Sequence, residues 1–321
     1  MTPTGEGKVL LVAGFLQRLF GRQKDLTEEA ASPPVSETDI DTQPLPARRA
    51  PFPAATEASP DHLEPPQLVV GMGQSAGKQR DHNEDALFSL TTTLVSDTSQ
   101  IPFGLYMVAD GMGGHKHGEM ASGIAVRAMA SHVIRELYAP LFSLPSETPE
   151  QSLQEIMQAG VQNAHHTILT QTPGGGTTMT AVLILGDQLT IAHVGDSRAY
   201  AIRSDGSMQV LTRDHSLVKR LEELGQITHE EAAVHPQRNV LYRALGQGEA
   251  FDAEISTSSL PRPGYLLICS DGLWGVISES QILKIISEAS SPDVACQKMV
   301  AAANEAGGPD NITAILVRLP D

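Results

Sequence analysis

Short apolar segments joined by tight turns are the feature that most limits the fold of this chain. Many are separated by dipeptides such as Gly186-Asp187 and Asp205-Gly206, which favour hairpins between antiparallel strands. The segments predict strands at 67–73, 103–109, 178–186, 189–195, 198–203, 207–212, 265–270 and 312–319, and a short strand at 86–90. A sheet with mostly antiparallel pairing is therefore expected.

Two stretches between these strands have the periodicity of amphipathic helices. Apolar residues recur every three or four positions and would form one buried face on each helix. The residues are Val126, Met129, Val133 and Leu137 in the first stretch, and Leu153, Ile156, Met157, Val161, Ala164 and Ile168 in the second. Because strands come in runs and helices in pairs, we expect layered α+β packing rather than a βαβ repeat.

The N-terminal part of the chain has a different composition. Nine of the 21 prolines fall between residues 28 and 66, with one aromatic residue. Such a stretch cannot bury enough apolar area to offset its ordering entropy. We therefore predict a disordered tail and Pro-rich linker at 1–66 and one folded domain at 67–321, while a short docking helix within 8–20 remains an alternative.

Charge and cysteine content exclude several classes of partner and site. The net charge of −16 argues against nucleic acid or an anionic membrane as the main partner. Cys269 and Cys296 form no CxxC pair, so neither a zinc site nor a disulfide framework is indicated. The apolar run 9–16 is too short to span a bilayer, and no small-residue cleavage site of a secretory signal follows it, so a cytoplasmic location is expected.

Acidic residues stand beside several of the predicted strands. A single Asp-Gly after a strand is usually a turn, since Asp hydrogen-bonds its own backbone and Gly accepts positive φ. A group of carboxylates at one sheet edge is different, because like charges repel unless protons or cations neutralise them. The residues concerned are Glu84, Asp85, Asp110, Asp196, Asp271 and Asp310.

The residue types at this edge favour one class of cation. Oxygen ligands select a hard cation, Mg²⁺ or Mn²⁺, over zinc or copper. The Gly111 carbonyl could also approach an ion closely, because glycine has no side chain. His115, His117 and His193 lack metal-motif spacing, and each alone is more consistent with a polar loop or core residue.

Seven motifs in a fixed order make the chain identifiable. They are RDHNEDA (80–86), VADGMGGH (108–115), GTTMTAVL (176–183), VGDSRAY (194–200), LTRDHSLV (211–218), CSDGLWG (269–275) and GGPDNIT (307–313). From about Val69 to Leu319 the chain resembles the bacterial form of the metal-dependent type 2C serine/threonine phosphatases. The resemblance implies a four-layer αββα sandwich, with two mostly antiparallel sheets flanked by helical pairs and a small flap subdomain at about 216–250.

The resemblance also implies a metal centre that holds two Mn²⁺ or Mg²⁺ ions. Asp110 would bridge both ions, and the Gly111 carbonyl would bind the first. Asp271 and Asp310 would complete the second site. Further residues implied are Glu84 and Asp85, acting largely through metal-bound waters, and Asp196, which with Asp271 would form a weaker third-metal site.

The implied reaction is hydrolysis of phosphoserine and phosphothreonine in proteins. A metal-bridging water or hydroxide would attack in line, with no phosphoenzyme, while Arg80 holds the phosphate in its planar fork. His115 could donate a proton, only contact substrate, or leave that task to a metal-bound water. Phosphorylated protein substrates, a cognate Ser/Thr kinase and a monomeric state are the implied partners and assembly.

Some positions depart from the family pattern, and two other functions stay open. Met112 stands where many eukaryotic members have histidine, Gly275 replaces a frequent Asp, and Pro309 replaces a commoner basic residue. A catalytically silent phosphoprotein-binding module would use the same cleft without turnover. The other alternative is a structural protein that binds Mg²⁺ or Ca²⁺. This chain has no 12-residue loop of the EF-hand type, and a structural role would leave Arg80 unexplained.

Overall fold

The computed structural model describes residues 67–96, 99–113, 116–143, 150–248 and 252–320. The predicted tail at 1–66 and His115 lie outside these ranges. Among the described helices, none has both the length and the apolar content needed to cross a bilayer.

The described strands and helices follow one another in this order. The strands are β1 Val69–Ser75, β2 Asp85–Ser96, β3 Ser99–Met112, β4 Gly176–Thr177, β5 Met179–Leu185, β6 Gln188–Val194, β7 Arg198–Arg203, β8 Met208–Val210, β9 Glu254–Ser259, β10 Gly264–Cys269 and β11 Ile312–Leu319. The helices are α1 Lys116–Val133, α2 Ala139–Leu141, α3 Leu153–Gln171, α4 Leu217–Glu223, α5 His229–Ala233, α6 Asp271–Trp274, α7 Glu279–Glu288 and α8 Pro292–Glu305, with a π-helical turn Ile134–Tyr138 between α1 and α2.

These strands form two antiparallel sheets. One has the order β1-β11-β10-β7-β8 and the other the order β2-β3-β5-β6-β9, with β4 paired to β3. The predicted α+β sandwich with two antiparallel sheets is therefore confirmed.

Three apolar layers hold the sandwich together. Tyr106, Ile268 and Ile315 belong to the layer between the two sheets. Helices α1 and α3 cover the outer face of the β2–β9 sheet, and α7 and α8 cover that of the β1–β8 sheet. Because the central strands are buried on both faces, they consist of nearly continuous apolar runs, and this is why their sequences are easy to recognise.

Three elements differ from the sequence prediction. Strand β2 extends to Ser96, well beyond the predicted 86–90. Strand β9, with the sequence EISTSS, was not predicted, because it is an edge strand with mostly exposed polar side chains and no apolar periodicity. Strand β3 continues through Asp110 to Met112, so Asp110 lies within a strand and not at its end.

The segment predicted as a flap contains the two short helices α4 and α5. Ser216 caps the start of α4 and also pairs with Leu241, and the Leu217 N–H donates to the Val240 carbonyl. The two ends of the segment are thus joined at its base.

Candidate metal centre and phosphate site

The layer between the sheets ends in polar side chains at one end of the sandwich. In β3, Tyr106 and Val108 belong to the apolar inter-sheet layer, and Asp110 follows two positions later on the same face of the strand. In the other sheet, Ser270 follows Ile268 by two positions and Thr313 precedes Ile315 by two positions, so the same alternation applies to both. The site therefore continues the core, with polar groups in place of apolar ones.

Asp85 connects the two sheets at this end. It lies directly opposite Asp110 in the β2–β3 register. Its Oδ2 accepts hydrogen bonds from Ser270 Oγ at 2.8 Å and Thr313 Oγ1 at 2.6 Å. Its Oδ1 is buried and has no hydrogen-bond partner among the described residues.

Asp271 and Asp310 reach the same place from the other sheet. Asp271 begins the short helix α6 directly after β10, and Asp310 precedes β11. The carboxyl groups of Asp110 and Asp271 are close enough for each to affect the pKa of the other. The Arg80 Nη2 donates to Asp310 Oδ2 at 2.8 Å from the rim of the site.

Burial and mutual repulsion raise the pKa values of these carboxyl groups. Burial raises the pKa of Asp110 well above its usual range, and the charges of Asp85 and Asp271 raise it further. Burial likewise raises the pKa of Asp85 to about 7 and that of Asp271 to about 6, in the latter case with a further contribution from Asp310. The pKa of Asp196 is also raised, by burial first and then by Asp271. A bound dication would remove this penalty.

A polar cavity of about 290 Å³ opens above these residues. Its walls include every predicted metal or phosphate residue among the described ones except Asp85, which lies beneath it. These residues are Arg80, Glu84, Asp110, Gly111, Asp196, Asp271 and Asp310.

Two glycines of the Asp-Gly pairs are required by close packing and not by a turn. A Cβ on Gly111 would lie 2.3 Å from the Gly118 carbonyl oxygen, and one on Gly272 would lie 2.0 Å from that of Asn311. Neither glycine has a positive φ. The backbone therefore approaches closely at both carboxylates, in keeping with a site and not with simple turn chemistry.

Several positioning residues were not identified from the sequence. Asn311 donates through Nδ2 to the carbonyls of Ala76 and His82 and accepts from the Glu84 N–H at 2.8 Å, so it fixes the segment that carries Arg80 and Glu84. Thr178 Oγ1 accepts the Asp110 N–H at 2.9 Å and is hydrogen-bonded to Ser197 Oγ at 2.8 Å. A single sequence carries no signal for them, because only the pairing of distant segments brings these side chains to Glu84 and Asp110.

Comparison with protein families decides the identity of this arrangement. Residues 69–312 match the model of the family described as Protein phosphatase 2C. The chain belongs to the protein phosphatase 2C family. The expectation drawn from the seven motifs is thereby confirmed.

Bacterial members of the protein phosphatase 2C family are similar along most of their length. The chain is 36% identical to a serine/threonine phosphatase stp of Listeria innocua, over 75% of this chain and 92% of the relative. It is 34% identical to a putative protein phosphatase 2C-type of Streptococcus pyogenes, over 78% and 97%.

Solved structures share the fold. The serine/threonine phosphatase PstP/Ppp of Mycobacterium tuberculosis superposes with a TM-score of 0.66 at 31% identity, over 79% of this chain and 100% of that chain. The catalytic domain of PstP in complex with two manganese ions gives a TM-score of 0.64 at 29% identity, over 79% and 99%.

The donor set of this protein phosphatase 2C chain suits divalent metal ions that keep part of their water. Within the described ranges, no three Asp, Glu, His or Cys side chains converge as tightly as the ligands of one ion. Apart from His82 and Met112, the potential metal donors in the cavity wall are oxygens, and Asp85 Oδ1 is buried with no hydrogen-bond partner among the described residues. Mg²⁺ and similar ions are commonly bound by one or two carboxylates plus several waters, so the chemistry of the donor set fits.

Proposed function

We propose that this protein is a Mn²⁺- or Mg²⁺-dependent protein phosphatase that hydrolyses phosphoserine and phosphothreonine. Membership of the protein phosphatase 2C family supports the activity. The single observation that carries the assignment to this site is the group of buried carboxyl groups with raised pKa values, Asp85, Asp110, Asp196 and Asp271, around a cavity bordered by an arginine.

Each of the predicted site residues around the cavity has a role in this proposal. Asp110, the Gly111 carbonyl, Asp271 and Asp310 would hold two cations, which when bound supply an activated water and neutralise charge on the phosphoryl group. Glu84 and Asp85 would orient metal-bound waters, and Asp196 with Asp271 would hold a third cation. When substrate binds, Arg80 would give up its hydrogen bond to Asp310 and donate to two phosphoryl oxygens instead, because its guanidinium stays charged and can form two parallel hydrogen bonds.

The chain's own residues prepare the site before substrate arrives. Thr178 and Ser197 fix the backbone of Asp110, and Ser270 and Thr313 fix Asp85, so little reorganisation is needed when a phosphate binds. The proposal involves no covalent intermediate on the protein, and Cys269 and Cys296, which are buried in the core, do not face the cavity. A proton-donating role for His115 stays a prediction.

Phosphorylated proteins are the substrates that this function implies. We further propose a cognate Ser/Thr kinase that generates them, a cytoplasmic location, a monomeric state, and a division into a tail at 1–66 and a phosphatase domain at 67–321. The family match from residue 69 supports the start of the domain.

The test is hydrolysis of p-nitrophenyl phosphate and of a phosphothreonine peptide with Mn²⁺, Mg²⁺ or excess chelator. We expect turnover only with metal, and a loss of at least about 100-fold in Asp110→Ala and Asp271→Ala, since metal-ion catalysis supplies several kcal/mol. Asp205→Ala is the matched control, because Asp205 lies in an exposed turn outside the cavity.

Two results would reject the proposal. Undiminished turnover in chelator, or in both cavity variants, would mean that the carboxylates do not bind a catalytic metal. Tight phosphopeptide binding without any turnover would identify a silent binding module.

A further inference from the structure

A second cavity of about 520 Å³ opens beside the carboxylate cavity and is bordered by the flap segment. The two cavities adjoin each other, because five residues line both of them: Arg80, Asp196, Asn239, Asp271 and Asp310. A polypeptide with its phosphate at Arg80 therefore has this space next to it. Its volume is in the range that holds a ligand group in other proteins.

Most charges in the walls of the second cavity are neutralised within the protein. The Arg198 guanidinium donates to Asp214 at 2.7 Å and lies over the Trp274 ring, with Cζ 3.5 Å from the ring centroid. Lys219 Nζ donates to Glu222 Oε2 at 2.9 Å, and the ring of His229 is 3.1 Å from the other oxygen of Glu222. These groups are engaged with one another and offer little to a ligand charge.

Ser216, Arg238 and Asn239 are polar members of the remaining wall, and its other side chains form an apolar part. Trp274, Val276 and Pro309 contribute it on the side of the sheets, and Val218, Ala232 and Ala233 contribute it on the flap. Gly275, between Trp274 and Val276, adds no side chain and so leaves room. Gly275 and Pro309, two of the positions that depart from the family pattern, thus both line this cavity, and neither carries a charge.

We propose that this second cavity binds an uncharged, apolar side chain of the substrate, close in sequence to the phosphoresidue. The inference rests on the proposed function, because it takes the phosphoryl group to lie at Arg80. Extended peptide advances about 3.3–3.6 Å per residue, so a side chain a few positions from the phosphoresidue can enter the adjoining space. The substrate class is phosphoproteins with an apolar residue near the phosphosite.

The test compares phosphothreonine peptides that differ at one position. Leu, Asp, Lys or Ser is placed in turn at each of the positions flanking the phosphothreonine, and kcat/KM is measured with Mn²⁺. At one position we expect Leu to exceed Asp and Lys by about 10-fold or more, the usual discrimination of an apolar pocket. Turnover of p-nitrophenyl phosphate serves as the baseline, since it is too small to reach the second cavity.

Variants at the flap wall test the location. Ala233 is exposed at the end of α5 and lines the cavity, so Ala233→Leu should fill the pocket and abolish the preference for Leu, while Ala233→Lys should shift it toward Asp. The control is Ala301→Leu, an exposed position on α8. All three variants should keep the wild-type rate on p-nitrophenyl phosphate.

Three outcomes would overturn the inference. Equal kcat/KM for all peptides, or a preference for Leu unchanged in both Ala233 variants, would show that no apolar pocket acts there. A preference for Asp that is lost in Arg238→Gln would assign the cavity to an anionic side chain instead, since Arg238 lines it and forms no ion pair with the described residues. Absence of turnover on every substrate, p-nitrophenyl phosphate included, would reject the proposed function itself.

Discussion

Two threonines form hydrogen bonds with the backbone N–H and carbonyl of Asp110. Its N–H donates to Thr178 Oγ1 at 2.9 Å, and its carbonyl accepts from the Thr178 N–H and the Thr177 Oγ1, each at 2.9 Å. Thr178 also lines the carboxylate cavity and is hydrogen-bonded to Ser197. One hydroxyl thus links the backbone of Asp110 to the segment that carries Asp196.

Replacing Thr178 by valine keeps the shape of the side chain and removes only the hydroxyl. We expect Thr178→Val to lower kcat/KM and the affinity for Mn²⁺ by roughly 10–100-fold, the usual effect of losing a partner that orients a metal ligand. Titration of activity with Mn²⁺ measures both quantities.

Two further variants distinguish a positioning role of Thr178 from the general effect of losing a buried hydrogen bond. Thr178→Ser restores the hydroxyl and should recover most of the Mn²⁺ affinity. Thr190→Val removes a buried hydroxyl on β6 that bonds only Thr257 and lies away from the cavity, so it should leave the Mn²⁺ titration unchanged. Equal effects of both valine variants would contradict a specific role for Thr178.

Individual carboxylates could be picked out from the sequence because each stands beside an apolar run. Their supporting hydroxyls could not, because Thr and Ser are common in strands and only the pairing of strands brings Ser270 and Thr313 to Asp85. The ion pair between Arg80 and Asp310 likewise joins residues 230 positions apart, for which a single sequence carries no signal.

At the level of elements, a glycine of α3 packs closely against α1. A Cβ on Gly160 of α3 would lie 2.5 Å from the sulfur of Met129, which is fully buried on α1. Gly123 of α1 faces the flexible end of Arg127, with a closest approach of 3.4 Å for its Cβ. Both glycines are inside helices, but only the first is required by packing.

Alanine at these two positions should change stability in opposite directions. Gly123→Ala should raise the free energy of unfolding by about 0.5–1 kcal/mol, because alanine loses less backbone entropy in a helix. Gly160→Ala should lower it by about 1–3 kcal/mol through overpacking. Urea denaturation measures both, and a stabilised Gly160→Ala would show that Met129 can move aside.

Elements buried on both faces are the ones that sequence patterns locate best. Strands β7 and β11 have the predicted bounds, and α3 covers the predicted apolar face. Strand β9 and the outer part of β2 are half-exposed or exposed, so their sequences carry no apolar period. The helices of the flap are too short to show periodicity at all.

For the whole molecule, the site opposes folding in the absence of cations. Buried carboxyl groups with raised pKa values are unfavourable for the folded state near neutral pH, where the unfolded chain would ionise them freely. Ligands that bind only the folded state reverse this, by about 2.7 kcal/mol at a concentration of 100 times Kd. If these residues hold the catalytic metal as proposed, stability and catalysis depend on the same carboxyl groups.

Asp110→Asn should separate these two effects. Without metal, the variant should be more stable than the parent chain by on the order of 1 kcal/mol or more, because asparagine needs no proton and carries no charge. With Mn²⁺, the melting temperature of the parent should rise and that of Asp110→Asn should change little. Thermal unfolding in chelator and in Mn²⁺ measures both, with Asp205→Asn as a control that should respond like the parent.

One result would contradict this coupling. If Mn²⁺ raised the melting temperature of Asp110→Asn as much as that of the parent, the stabilising ion would bind elsewhere on the protein.

Asp85 and Asp110 lie directly opposite each other in the β2–β3 hairpin, so the positions of both carboxylates depend on the register of these two strands. A displacement of one residue between these strands would turn one of the two carboxylates toward the helices. A molecule misaligned in this way would keep most of its secondary structure and still separate the two carboxyl groups that the proposed metal site requires. Correct pairing of two neighbouring strands is therefore a condition for the proposed site to form.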